Sequence, residues 1–284
     1  MARQLFLVAT LLASQVAAHG YIKTFTLEGT EHEGFSASNP SPDPEAIGWS
    51  FTTPDEGAEL DFGSPDFVCR QGAKPASNSG TVAAGGKATF LWTSDDKERN
   101  PDGWAKGHRG PILTYIAPCD GGDCANVDKS SLRWTKIAEA GLISGPANVN
   151  GVWATDKMRE NGGINEATIP EAIAPGKYVI RNEIIALHRA NIGEPEFYMQ
   201  CGNIEITGSG SDDLSGSGTA AGELYSKSDS QLFNFDIYDS KDTEWPIPGP
   251  PLYNSGSPKS SPTPSPSPKE SRQGKNDWFI RFRA

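Results

Sequence analysis

Imidazole is scarce in this chain: its histidines are His19, His32, His108 and His188. His19 stands directly behind the leader MARQLFLVATLLASQVAA. Arg3 gives that leader a positive start, Leu5 to Ala13 form its apolar stretch, and Val16 and Ala18 are the small residues that precede a signal-peptidase cut. Cleavage at that point makes His19 the first residue of the mature chain. A terminal histidine carries a free α-amine beside its imidazole, and the two can close a chelate ring on one metal ion. The amine has an ordinary pKa of about 7.7–8.0, so a metal readily displaces its proton near neutral pH. One further imidazole completes a set of three nitrogens. Among divalent first-row ions, Cu(II) binds such a set most tightly and accepts planar geometry.

A scaffold must bring distant residues together for this chemistry. Glycine (31) and proline (22) are frequent, and long amphipathic helical stretches are missing from the pattern. Short β-rich runs recur instead: KATFLWT at 87–93, PILTYIA at 111–117, LRWTKIA at 132–138, KYVIRNEIIAL at 177–187, and residues 197–207. Gly, Pro, Asn and Asp clusters separate them, which is the pattern of an antiparallel β-sandwich with long loops. Residues 28–59 read as one long polar loop, of a length that is usually functional or disordered. Cys69, Cys119, Cys124 and Cys201 are an even number behind a secretory leader, so two disulfides are expected, in one of three connectivities. Cys119 and Cys124 bracket the tight DGGD loop. Pairing them leaves Cys69 and Cys201 to close a long one. The spacing does not suit a zinc ribbon.

Three segments are expected: a leader at 1–18, a β-sandwich domain at 19–254, and a Ser/Pro-rich linker with a short tail at 255–284. The linker, SGSPKSSPTPSPSPKESRQGK, has no apolar period and reads as extended chain. The net charge is −11, and residues 255–284 carry more basic than acidic groups, so the sandwich is more acidic still. Nucleic acid and anionic membranes are poor partners for such a surface, whereas a neutral polysaccharide makes no electrostatic demand. The apolar stretch of the leader is too short to span a bilayer. The expected product is a secreted, extracellular, monomeric protein.

Several segments, in order, carry a family resemblance. They are HGYI at 19–22, NPDGWAKGHRGPILTYIA at 100–117, APCDGGDC at 117–124, VWATDK at 152–157, IAPGKYVIRNEIIALH at 173–188, FYMQC at 197–201 and PIPGPPLY at 246–253. In this order, behind a cleavage site that exposes His19, the chain resembles the fungal copper-dependent lytic polysaccharide monooxygenases of auxiliary activity family 9, once glycoside hydrolase family 61. The resemblance implies an immunoglobulin- or fibronectin-like antiparallel β-sandwich stapled by disulfides. It implies one copper ion held by the amine and ring of His19 and by His108, with Tyr198 axial. His188 would be a hydrogen-bond or proton donor beside the metal. Tyr21 and Tyr253 would be flat aromatics that stack on glucose. The implied activity is oxidation at carbon 1 or carbon 4 of cellulose or a related β-glucan, with an external electron donor and dioxygen or hydrogen peroxide.

Two positions depart from the family pattern. The residue two before the axial tyrosine is usually glutamine and here is Glu196. The usual Arg-His-Glu triplet of the long strand is Arg181-Asn182-Glu183. In a strand, Glu196 and Tyr198 share one face and Cys201 takes the other. A carboxylate beside Cu(II) adds negative charge and would raise the proton affinity of His188. These departures keep open a competing reading, a non-catalytic β-sandwich that binds copper or carbohydrate. Hydrolysis is a third class, but acidic residues are too numerous for their count to argue a catalytic carboxylate pair.

Overall fold

The computed structural model describes residues 20–37, 44–53, 57–98 and 100–254. Its strands are β1 (Tyr21–Leu27), β2 (Thr30–Glu33), β3 (Gly80–Ala83), β4 (Lys87–Thr93), β5 (Ile112–Pro118), β6 (Thr135–Ala140), β7 (Leu142–Ser144), β8 (Val152–Trp153), β9 (Ile164–Thr168), β10 (Gly176–Ala186) and β11 (Glu196–Thr207). Two short helices are α1 (Ala154–Glu160) and α2 (Ser230–Phe233). One sheet has the order β2-β1-β4-β9 and the other β3-β11-β10-β5-β6, with β7 and β8 as a separate ribbon. All pairings are antiparallel except β3 with β11. The fold is the all-β sandwich expected from the sequence. Within 28–59, the segment read as loop contains β2, an exposed edge strand of polar residues (Thr30, Glu31, His32, Glu33). It lacks the apolar alternation by which a strand is recognised.

The longest strands, β10 and β11, are buried on both faces, which explains the nearly unbroken apolar run VIRNEIIAL. On one face Tyr178, Ile180, Ile184, Tyr198, Ile204 and Ile206 meet Ile22, Phe25, Phe90 and Trp92 of the opposing sheet. On the other, Val179, Ile185, Leu187, Phe197, Met199 and Cys201 lie beneath the long loops, against Trp49, Phe67, Trp134 and Tyr225. Asn182 belongs to the first face. Its Oδ1 accepts from Trp92 Nε1 at 2.7 Å, and its Nδ2 donates to Thr114 Oγ1 at 2.9 Å and Asn165 Oδ1 at 3.0 Å. The departure from the usual triplet is therefore a satisfied core amide between the sheets.

Arg181 and Glu183 occupy the second face, both with fully buried side chains. The guanidinium donates twice to Glu183, at 2.8 and 3.0 Å, and to the carbonyls of Val68 and Phe67 at 2.9 and 3.3 Å. Tyr225 donates to Glu183 Oε2 at 2.6 Å. One ion pair thus ties two loops to the sheet. The disulfide Cys69–Cys201 does the same beside it, since Arg181 lies opposite Cys201 in the ladder. The second disulfide joins Cys119 to Cys124. Removing one partner of such a pair leaves a buried uncompensated charge. Arg181→Met is therefore expected to lower the unfolding free energy by about 3–5 kcal/mol in a urea titration. A loss under about 1 kcal/mol, the usual value of an exposed pair, would contradict this role.

Candidate metal centre

The centre forms at one end of the sandwich, where β10 stops and β11 starts. Leu187 still follows the sheet, its N–H donating to the Arg109 carbonyl at 2.9 Å. The chain then turns through His188 and a 3-10 turn at Ala190–Ile192, which Gly193 ends in the left-handed region at φ 75°. Glu196 opens the return strand. His108 comes from the loop before β5. Trp104 Nε1 donates to the His108 carbonyl at 3.0 Å, Arg109 pairs with Asp156 at 3.2 Å, and the Gly110 N–H donates to Thr155 Oγ1 at 3.1 Å. Gly110 has no alternative: a Cβ there would lie 1.9 Å from the Ile185 carbonyl oxygen of β10. The GHRGP spacing is thus the spacing of a loop pressed onto the sheet end.

These elements bring four expected residues together. His108 Nε2 lies 3.3 Å from Glu196 Oε2, and His188 Nε2 lies 3.4 Å from Glu196 Oε1. Tyr198 donates its hydroxyl to Glu196 Oε2 at 2.7 Å. The two imidazole centroids are 4.2 Å apart. Trp104 walls the group, edge-on to Tyr198 at 5.0 Å and to His108 at 6.1 Å. Among the described residues, His108, His188 and Glu196 offer donor atoms that all lie within 4.8 Å of one another. His188 Nδ1 is buried with no hydrogen-bond partner among those residues.

Burial alone would push the Glu196 carboxyl up. Hydrogen bonds from His108, His188 and Tyr198 outweigh it and hold the carboxyl well below the usual carboxylate range. Burial lowers the proton affinity of His108; the Glu196 hydrogen bond opposes that shift without cancelling it. A neutral imidazole, the form a metal needs, is thereby favoured. Burial and then the adjacent carboxylate raise the Tyr198 phenol well above its usual range, so it remains a protonated donor.

His19 lies outside the described residues. The next residue, Gly20, is buried at this centre: a Cβ on it would meet the Trp104 ring at 2.6 Å. The Gly20 carbonyl accepts from Arg70 Nη2 at 2.7 Å, and the Ile22 N–H donates to Gln200 Oε1 at 2.7 Å. Tyr21 is half-buried at the start of β1, its hydroxyl donating to Asp95 Oδ1 at 3.0 Å. Tyr253 is not brought to this group. Its hydroxyl donates to Asp212 Oδ2 at 2.9 Å, its N–H to the Lys136 carbonyl at 2.7 Å, and it lies beside Tyr178. Tyr178 stands ten residues before His188, roughly 30 Å along an extended strand. Tyr253, expected to stack on glucose, belongs to a segment that runs along β6, away from this group. Trp104, Arg70 and Gln200 were missed by sequence reading. Trp104 had a usable signal in its place four residues before His108. Arg70 and Gln200 had none, because neither polar type announces burial.

Glu196 supplies a pH test in the metal-free protein. Its proton affinity is lower folded than unfolded, so its stabilisation is complete above the unfolded value of 4.5 and is lost as pH falls toward the folded one. The unfolding free energy of the parent minus that of Glu196→Gln should therefore shrink between about pH 5 and pH 2 in urea titrations. A difference that stays constant over that range would contradict the hydrogen-bonded carboxylate.

The profile of auxiliary activity family 9, formerly GH61, matches residues 19–245. AA9 family lytic polysaccharide monooxygenase B of Aspergillus fumigatus is 44% identical over 259 residues, which span 87% of this chain and 97% of that protein. AA9 family lytic polysaccharide monooxygenase A of Malbranchea cinnamomea is 41% identical, over 88% of this chain and 72% of its own length. Among solved structures, the extended catalytic domain of H. jecorina LPMO9A superposes with a TM-score of 0.73 at 34% identity, over 88% of this chain and 96% of that one. A cellulose-active polysaccharide monooxygenase from M. thermophila gives 0.70 at 30% identity, over 83% and 99%. With a profile that covers most of its length, and a relative 44% identical over 97% of its own, the chain belongs to auxiliary activity family 9.

Proposed function

We propose that the mature chain begins at His19, is secreted as a monomer, and oxidatively cleaves β-1,4-glucan chains such as cellulose with one copper ion. The observation that carries this reading is the convergence of His108, Tyr198, His188 and Glu196 at the sheet end, with buried Gly20 beside them. The donor set suits copper. His108 offers a neutral imidazole, Tyr198 and Glu196 offer oxygen, and the N-terminal segment would add the amine and ring of His19. His19 and His108 would hold the ion, with the Tyr198 hydroxyl beside it. When bound, copper supplies one-electron redox chemistry and activation of dioxygen or hydrogen peroxide for hydrogen removal at carbon 1 or carbon 4 of the glucan.

The protein's own residues do the rest. Trp104 and Tyr198 exclude water from one side of the centre. Glu196 fixes the orientation of both imidazoles and of the phenol through three hydrogen bonds. His188, partly exposed at the rim with Nε2 3.4 Å from Glu196 Oε1, would be the hydrogen-bond or proton donor beside the metal. Tyr21, at the start of β1, is the aromatic in reach of a polymer lying across this end. Electrons come from an external donor, a small reductant or a redox protein. None of the described helices is long and apolar enough to cross a membrane.

Mass spectrometry of the products from amorphous cellulose with copper, a reductant and peroxide tests the reading. Oxidised oligosaccharides are expected, with mass and fragmentation reporting carbon 1 or carbon 4, and a chelator should abolish them. Tight copper binding without oxidised products would replace this reading with a non-catalytic copper-binding sandwich. Release that needs no reductant and survives chelation would mean hydrolysis.

A further inference from the structure

Arg70 is 0% exposed, although it is an arginine in a loop. It follows Cys69, whose disulfide fixes it to β11, and its backbone sits at φ 82°, where residues other than glycine are uncommon. Its Nη2 donates to the Gly20 carbonyl at 2.7 Å. Its guanidinium carbon lies 4.7 Å from the centroid of the Phe51 ring and 5.9 Å from that of Tyr198. A buried guanidinium in a rarely used backbone conformation is held against a desolvation penalty. Besides Phe51, it meets two parts of the metal centre: the carbonyl of Gly20, which follows His19, and the ring of Tyr198.

We propose that Arg70 is a positioning residue of the metal centre, an inference that rests on the copper reading above. It acts in two ways. Its Nη2 holds the Gly20 carbonyl, and the Trp104 ring leaves no room for a side chain on Gly20, so the residue that follows His19 is fixed in place. Its permanent charge stands behind the Tyr198 ring, whose hydroxyl contacts the Glu196 carboxylate. Arg70 and Glu196 thus place opposite fixed charges on the two sides of one phenol. A cation there favours the lower charge of Cu(I), and the carboxylate favours Cu(II). This chain, which carries Glu196, has a buried arginine to offset it.

The test compares the parent with Arg70→Gln and Arg70→Lys. Circular dichroism and thermal unfolding of the metal-free proteins establish folding. Isothermal titration with Cu(II), EPR of the Cu(II) form and the reduction potential then report the centre. Arg70→Gln should lose about tenfold or more in copper affinity, as the loss of a group that orients a ligand typically does. It should also show an altered EPR spectrum and a lower potential. Arg70→Lys keeps the charge without the fork, so its potential should stay near that of the parent while its affinity falls. A purely structural role would lower the unfolding temperature and leave affinity, spectrum and potential of the folded protein unchanged; that result for Arg70→Gln overturns the proposal. If Arg70→Gln does not fold, parental affinity in Arg70→Lys overturns it instead. If the parent itself binds no copper, the copper reading has failed. Hydrogen exchange at residues 20–22 of the metal-free proteins then decides on Arg70: faster exchange in either variant supports positioning, and unchanged exchange overturns it.

Discussion

The pairing of β10 with β11 is the constraint on which the rest depends. Its register runs from Gly176 opposite Ile206 to Ala186 opposite Glu196 without a slip. Side chains in a strand alternate with a period of two, so a shift by one residue would exchange every side chain between the two cores. With the observed register, Ile184 and Tyr198 meet the opposing sheet, while Arg181, Glu183 and Cys201 meet the loops. The connection between these strands then emerges at the sheet end with His188 and Glu196 facing each other. The disulfide from Cys69 to Cys201 and the Arg181–Glu183 pair lock loops onto that register, and the same disulfide carries Arg70 under the centre.

Electrostatics divide the labour inside the centre. A carboxylate accepting from two imidazoles and a phenol is stable without solvent, because each charge-assisted bond is stronger than a neutral one and together they exceed the burial penalty. The carboxylate thereby pre-orients the side chains that the metal reading requires. It also brings a negative charge that a glutamine would not bring. Arg70, over the Tyr198 ring, and Arg189, coupled to Glu196 through charge, are permanent cations near it. These cations give the departure at Glu196 a physical setting. The departure at Asn182 has a different one, since that amide is spent entirely on Trp92, Thr114 and Asn165 inside the sandwich.

Much of this was legible in the sequence. The β-rich runs at 177–187 and 197–207 marked two strands, and the parity of Glu196, Tyr198 and Cys201 put the first two on one face. The family resemblance marked His108 in the GHRGP loop, whose Gly110 is pressed against the Ile185 carbonyl. What stayed hidden is of three kinds. Strand β2 is too polar to show a period. The course of the Tyr253 segment along β6 was hidden because sequence order says nothing about which end of a sheet a late segment reaches. Arg70 and Gln200 carry no sequence signal of burial, and only the packed structure shows that Arg70 donates to the Gly20 carbonyl and that Gln200 accepts from the Ile22 N–H.

The central claim is that the metal is chelated by a terminus as well as by side chains. Isothermal titration with Cu(II) of two chains tests it directly, one beginning at His19 and one carrying a single alanine ahead of it. Both keep His108, His188, Glu196 and Tyr198. The account predicts tight, one-to-one binding to the first and a loss of several orders of magnitude in the second, because the added residue moves the free amine away from the imidazole of His19. Equal, tight binding by both chains would contradict it and assign the metal to His108, His188 and Glu196 alone.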